Sequence, residues 1–264
     1  MVCYAKAMLM LLAPSKTMDL TSANPVFVPH QSPLFLKQSK QIADVIRTMN
    51  EQEIALLMRV SPVIAANVKR MYQTWEPKSG RPALWAYKGD VYKGMKSELL
   101  TERQAQWAER HLLIMSGLYG IVRPFDFINE YRLEMKTRLR VQSANDLNAF
   151  WGNILAEYVA KRADGLVYNL CSDEYGNAVT KRLPSNVRIV TPVFYDKKPN
   201  GKVGVAPIYS KMMRGVMARW IIDHETETPE ELQAFTMHGY SYDPSLSTAE
   251  RPAFYREIMK PLIF

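Results

Sequence analysis

Short apolar runs, each bounded by turn-forming residues, alternate along this chain with segments whose apolar positions recur every three or four residues. That alternation restricts the chain to a mixed α/β domain, because a sheet covered by helices buries both kinds of face at once. The runs predict strands over 8–13, 83–87, 112–115, 166–170, 188–195 and 202–206. The helical period predicts helices over 36–49, 51–59, 63–75, 102–111, 146–163, 174–183, 209–223 and 229–236. Thr101 and Gln104 fit a capping box at the start of the fourth helix. The 264 residues carry no low-complexity linker and no internal repeat, so one compact domain over 1–264, a mixed sheet with surrounding helices, accommodates every element.

Several function classes fall away on residue usage. The apolar run from Ala7 to Ala13 ends at Pro14 without a small-residue cleavage site and is far shorter than the roughly 18 residues of a membrane span. Neither export nor a membrane partner is expected, and a cytoplasmic location fits. Two cysteines, Cys3 and Cys171, and four scattered histidines give no metal-ligand spacing, so no metal and no cofactor is predicted. Cys171 follows an apolar strand and precedes two acids, surroundings that keep a thiol protonated and argue against peroxidase chemistry.

Charge is uneven. The chain carries a formal +8, and residues 177–220 hold nine Lys or Arg against the single acid Asp196, whereas residues 221–264 hold three basic and eight acidic residues. A clustered basic surface attracts polyanions. Over 51–75 two helical patterns meet across a tight break: Ser61 is placed to cap and Pro62 to open the second helix, whose apolar stripe is Ile64, Val68, Met71, Tyr72 and Trp75. The spacing suits an ordinary core hairpin better; the alternative is a helix-hairpin-helix in which Val60, Ser61 and Val63 meet a DNA phosphate while Lys69 and Arg70 add charge. Along 209–223, Met212, Met213, Val216, Met217 and Trp220 share one face, with Lys211, Arg214 and Arg219 opposite.

Reactive residue types also gather after the predicted strands, where ligands of open α/β sheets lie. Lys16, then Lys88 and Asp90, then Ser116 and Arg123, then Asp173, Glu174 and Tyr175 occupy such places. Tyr131-Arg132-Leu133-Glu134-Met135 alternates as a half-buried strand does, which sets Arg132 and Glu134 on one face to pair or to hold a substrate. No glycine-rich phosphate loop precedes Lys16.

These blocks, Ala13-Pro14-Ser15-Lys16-Thr17-Met18-Asp19, Tyr87 to Tyr92, Met115-Ser116-Gly117-Leu118-Tyr119-Gly120 running on to Asp126, Tyr131 to Met135, Phe150-Trp151-Gly152, Asn169 to Tyr175 and Arg214 to Arg219, resemble the YaaA family of bacterial peroxide-stress proteins in order, from Met8 to about Tyr242. The resemblance implies a compact fold peculiar to that family. It also implies a cytosolic protein that limits hydrogen peroxide damage by lowering free iron, with double-stranded DNA bound through a helix-hairpin-helix at 51–75. The family's start falls at Met8, leaving residues 1–7 as an extension.

Two functions follow. In the first, the protein protects DNA without sequence preference, using Val60, Ser61, Val63, Lys69, Arg70, Lys211, Arg214 and Arg219. In the alternative it is an enzyme acting on a small anionic or nucleotide-like substrate, with Lys16, Lys88, Arg123 and Arg132 holding the anion and Lys16, Asp90, Glu174 and Tyr175 as candidate catalytic groups.

Overall fold

The computed structural model describes residues 6–77, 79–257 and 261; Cys3 and most of the N-terminal extension lie outside them. Strand β1 (Ala7–Leu12) enters at once, so Ala7 belongs to the sheet. The short β2 (Thr17–Met18) follows, then helices α1 (Leu36–Thr48), α2 (Glu51–Met58) and α3 (Pro62–Gln73). Next come β3 (Arg81–Pro82), α4 (Ala83–Ala86), β4 (Tyr87–Lys88), α5 (Asp90–Met95) and α6 (Glu102–His111). The middle of the chain supplies β5 (Leu112–Ser116), β6 (Gly120–Val122), β7 (Phe127–Ile128), α7 (Leu147–Arg162), β8 (Ala163–Leu170) and α8 (Asp173–Thr180). The remainder forms β9 (Arg188–Val190), β10 (Val193–Lys197), β11 (Val203–Gly204), α9 (Pro207–His224), β12 (Thr236–Met237), β13 (Tyr240–Tyr242) and β14 (Ala253–Arg256). No helix among the described residues is long and apolar enough to cross a membrane.

The central sheet has the order β6-β5-β1-β8-β9, parallel except for β6. Its middle strand is buried from Met8 to Leu12, as the unbroken apolar run of a two-sided strand requires. A second sheet, β11-β10-β14-β13-β12, packs on Phe194, Phe235, Tyr240 and Phe254, and one continuous buried core joins both sheets.

Most predicted helices stand, and the capping box at Thr101 and Gln104 forms in both directions. Five expectations need correction. Residues Ala83–Ala86 form a buried helical turn rather than a strand, because a short run enclosed on every side carries no periodicity to separate the two. The 188–195 run breaks at Thr191-Pro192, where proline lacks a ladder donor, and β9 and β10 enter different sheets. Residues 202–206 contract to the two-residue β11. The 229–236 helix shortens to a 3₁₀ turn at Glu231–Ala234. Residues 131–135 alternate in burial as predicted but lie outside every strand.

Two packing arrangements matter below. Helix α2 ends at Arg59 in the left-handed region (φ 52°), and Ser61 accepts a hydrogen bond from the Ile64 N–H to start α3, so the predicted pair of helices across a tight break is present. Helices α5 and α9 cross at glycines: a Cβ on Gly215 would stand 1.7 Å from the Val91 carbonyl oxygen, and one on Gly94 2.2 Å from that of Met212. This backbone-to-backbone approach sets Asp90 on one helix and Lys211 and Arg214 on the other around one cleft.

A charged cleft at the strand ends

The C-terminal ends of β1 and β8 open into a cleft of about 820 Å³. Strand β1 has β5 on one side and β8 on the other, and such a point of divergence leaves a crevice outside the carboxyl ends of the strands. From β1 the chain runs through Pro14 and Ser15 to Lys16, and the two-residue pairing of β2 with β4 (Thr17 opposite Lys88) ties this loop to the start of α5. Gly89 occupies φ +110°, and a Cβ there would meet Ser15 Oγ at 2.6 Å, so glycine lets the two loops touch. Strand β8 delivers Asp173, Glu174 and Tyr175 on the first turn of α8, the extended segment 131–136 crosses the mouth, and α9 contributes Lys211 and Arg214.

Six cations (Lys16, Lys93, Arg132, Lys136, Lys211, Arg214) and four carboxylates (Asp90, Glu134, Asp173, Glu174) line the cleft, leaving two positive charges in excess. Four of them are chained: Lys16 contacts Glu134, Lys136 Nζ lies 3.2 Å from Glu134 Oε2, and the same Nζ lies 3.2 Å from Glu174 Oε2. Glu174 Oε1 is buried with no hydrogen-bond donor among the described residues, a free acceptor at the wall of the cleft. Burial, then the charges of Arg132, Lys136 and Lys211, holds the Lys16 ammonium below its ordinary pKa, with Glu174 opposing. Burial also lowers Arg214, against the pull of Cys171 and Asp173, and raises the Tyr175 phenol, with Tyr131 and Glu174 adding to the rise.

The floor is rigid and aromatic. Ser116 donates its hydroxyl to Tyr131 and accepts the Tyr119 N–H, Tyr87 and Tyr131 share a hydrogen bond, and Tyr92 donates to the Ala13 carbonyl. Cys171 is buried beside it, and that burial pushes its thiol up to about 12, so the cause is desolvation rather than the neighbouring acids.

The structure brings Lys16, Asp90, Arg132, Glu174 and Tyr175 together as the strand-end reading predicts. Lys88 does not line the cleft, being a rung of β4 against Thr17. Arg123 is not there either: it is buried against Asp126 (Nη2 to Oδ1 2.6 Å) and donates to the Ser32 carbonyl, bracing a loop. The expected cationic face of α9 divides, since Lys211 and Arg214 turn into the cleft while Arg219 pairs with Asp223 at 2.7 Å and donates to the Lys96 carbonyl. Lys69 donates to the Arg47 and Met49 carbonyls and so closes the end of α1, leaving Arg70 exposed on α3 with a bond to Asn67.

Lys93 and Lys136 lie in the cleft without having been predicted. Lys136 was legible in principle, because the alternation that pairs Arg132 with Glu134 extends two residues further. Lys93 was not, since α5 is too short to show a period.

Comparison with known proteins identifies the family. Residues 8–246 match the family described as peroxide stress protein YaaA. A UPF0246 protein of Verminephrobacter eiseniae is 40% identical over 258 residues, covering 95% of this chain and 98% of its own. Counterparts from Bordetella petrii (40% over 260 residues, 95% and 100% covered) and a Marinomonas species (40% over 253 residues, 93% and 96% covered) bear the same description. With a family match that takes in every charged residue of the cleft, this chain belongs to the YaaA family of peroxide stress proteins.

Proposed function

We propose that this peroxide-stress family member acts through a small anionic or nucleotide-like ligand bound in the strand-end cleft. Lys16, Arg132, Lys211 and Arg214 hold the anion, and Asp90, Glu174 and Tyr175 are placed to move a proton. The observation that carries this reading is the excess of two positive charges around a half-enclosed space of nucleotide size. Two guanidiniums supply permanent charge, and the unpartnered Glu174 oxygen offers an acceptor for an amine or base N–H. Titration calorimetry with adenosine monophosphate and inorganic pyrophosphate tests it. Binding weakened at least tenfold by Arg132→Met with Lys211→Met supports the cleft; unchanged binding in the double variant overturns it.

A second reading, non-sequence-specific contact with double-stranded DNA, concerns the α2–α3 turn. What favours it is the exposure of Arg59, Ser61, Val63 and Arg70 around the start of α3, whose outward amide groups suit a phosphate as a helix-hairpin-helix would. Lys211 and Arg214 belong to the cleft, so Arg59 and Arg70 carry the charge here. Affinity for a labelled duplex should then fall with salt at a log–log slope near −0.9 per neutralised phosphate, and Arg59→Ala with Arg70→Ala should weaken all sequences alike. A double variant that binds like the parent removes this reading. Peroxide survival and free iron in cells carrying Lys16→Met separate the two: loss of protection with duplex binding intact assigns the stress function, and any lowering of iron, to the cleft.

A further inference from the structure

We propose that Lys16 is a nucleophile that forms an imine with an anionic aldehyde or ketone held in the cleft. The proposal rests on the cleft reading above and names the substrate class for it.

Five other cations, Lys93, Arg132, Lys136, Lys211 and Arg214, already supply the field that an anion needs. Lys16 stands among them with the Glu134 carboxylate in contact, placed to take its proton. Burial presses its proton off, and Arg132, Lys136 and Lys211 act in the same direction against the pull of Glu174. A lysine partly removed from water, with cations on several sides and a carboxylate in contact to take its proton, is placed to act as an amine. Its side chain is still 56% exposed, open to a ligand, while its contact Glu134 is 22% exposed and steadied by Lys136.

The chemistry balances within these groups. The Lys16 nitrogen lone pair adds to the carbonyl carbon, a C–N bond forms, and the carbonyl oxygen takes a proton. Glu134 carries that first proton from nitrogen to oxygen, giving the carbinolamine, then takes the second from nitrogen and delivers it to the hydroxyl, which departs as water as C=N forms. The net change is amine plus carbonyl to imine plus water. Arg132 and Lys211 hold the phosphate or carboxylate of the ligand, so the carbonyl carbon is the end presented to Lys16.

Pyridoxal phosphate serves as a phosphorylated aldehyde probe, and the matching alcohol, pyridoxine phosphate, serves as the same anion without a carbonyl. The full-length protein is incubated with the aldehyde, reduced with borohydride and mapped by peptide mass. The expected result is a single equivalent on Lys16, blocked by excess pyridoxine phosphate and at least tenfold lower in Lys16→Arg, which keeps a long basic side chain but not the nucleophile. Label on Lys16 should reach half its maximum below the pH 10.5 of an ordinary lysine. If pyridoxine phosphate binds in the cleft yet label spreads over surface lysines equally in the parent and Lys16→Arg, the imine is overturned and the anion site stands. If neither compound binds, both fall.

Discussion

Lys16 and Cys171 show how one stretch of protein treats two nucleophiles oppositely. Lys16 sits between Glu134 and several cations and is reachable from solvent, whereas Cys171 is buried with its thiol raised to about 12. Cys171 in the folded protein should therefore react with a thiol reagent only as fast as the protein opens, and mapping the labelled peptide before and after adding urea checks this. Removing a positive neighbour should restore the Lys16 proton: in Arg132→Met, competitive acetylation of Lys16 should require a higher pH than in the parent, because the largest opposing charge is gone. Residue identity alone disclosed that lysines and acids gather after strands. It did not disclose which of them meet, and Arg123, as basic as Arg132 and also after a strand, is consumed by Asp126 in the interior.

Among the elements, the α5–α9 crossing decides the width of the cleft, and it depends on two positions without side chains. Gly215→Ala places a methyl group against a backbone oxygen that cannot swing away, so the crossing must part at a cost of roughly 3 kcal/mol. A lower urea midpoint with anion binding weakened in parallel is expected; a stability loss that leaves binding untouched would separate the crossing from the site. At α3, Ser61→Ala removes the oxygen that accepts the Ile64 N–H and should cost about 1 kcal/mol. That pair of helices was readable because caps and stripes are local. Helix α5, with six residues, and the pairing of β10 with β14 were not, since a short helix shows no period and strands that meet across the chain leave no local mark.

For the whole molecule, the seam between α6 and the central sheet sets the response to acid. His111 is stacked on Trp107 at 3.9 Å between ring centroids, with Nδ1 2.9 Å from the Met8 carbonyl, and burial holds its pKa below 6.5. The unfolded chain takes up the proton first, so stability due to this group is complete above pH 6.5 and is lost as pH falls through the lower folded value. Urea midpoints from pH 7.5 down to 4.5 should decline in the parent and decline less steeply in His111→Gln. The sequence by itself determined the class of fold, the presence of β1, β5 and β8, most of the helices around them and the family, because hydrophobic period and capping residues act over a few neighbours. Tertiary structure decided that Lys211 and Arg214 leave the basic surface for the cleft, that Lys69 closes α1, and that Glu134, Lys136 and Glu174 form one chain with Lys16. A side chain's partner is set by which elements pack together in three dimensions, and no local pattern records that choice.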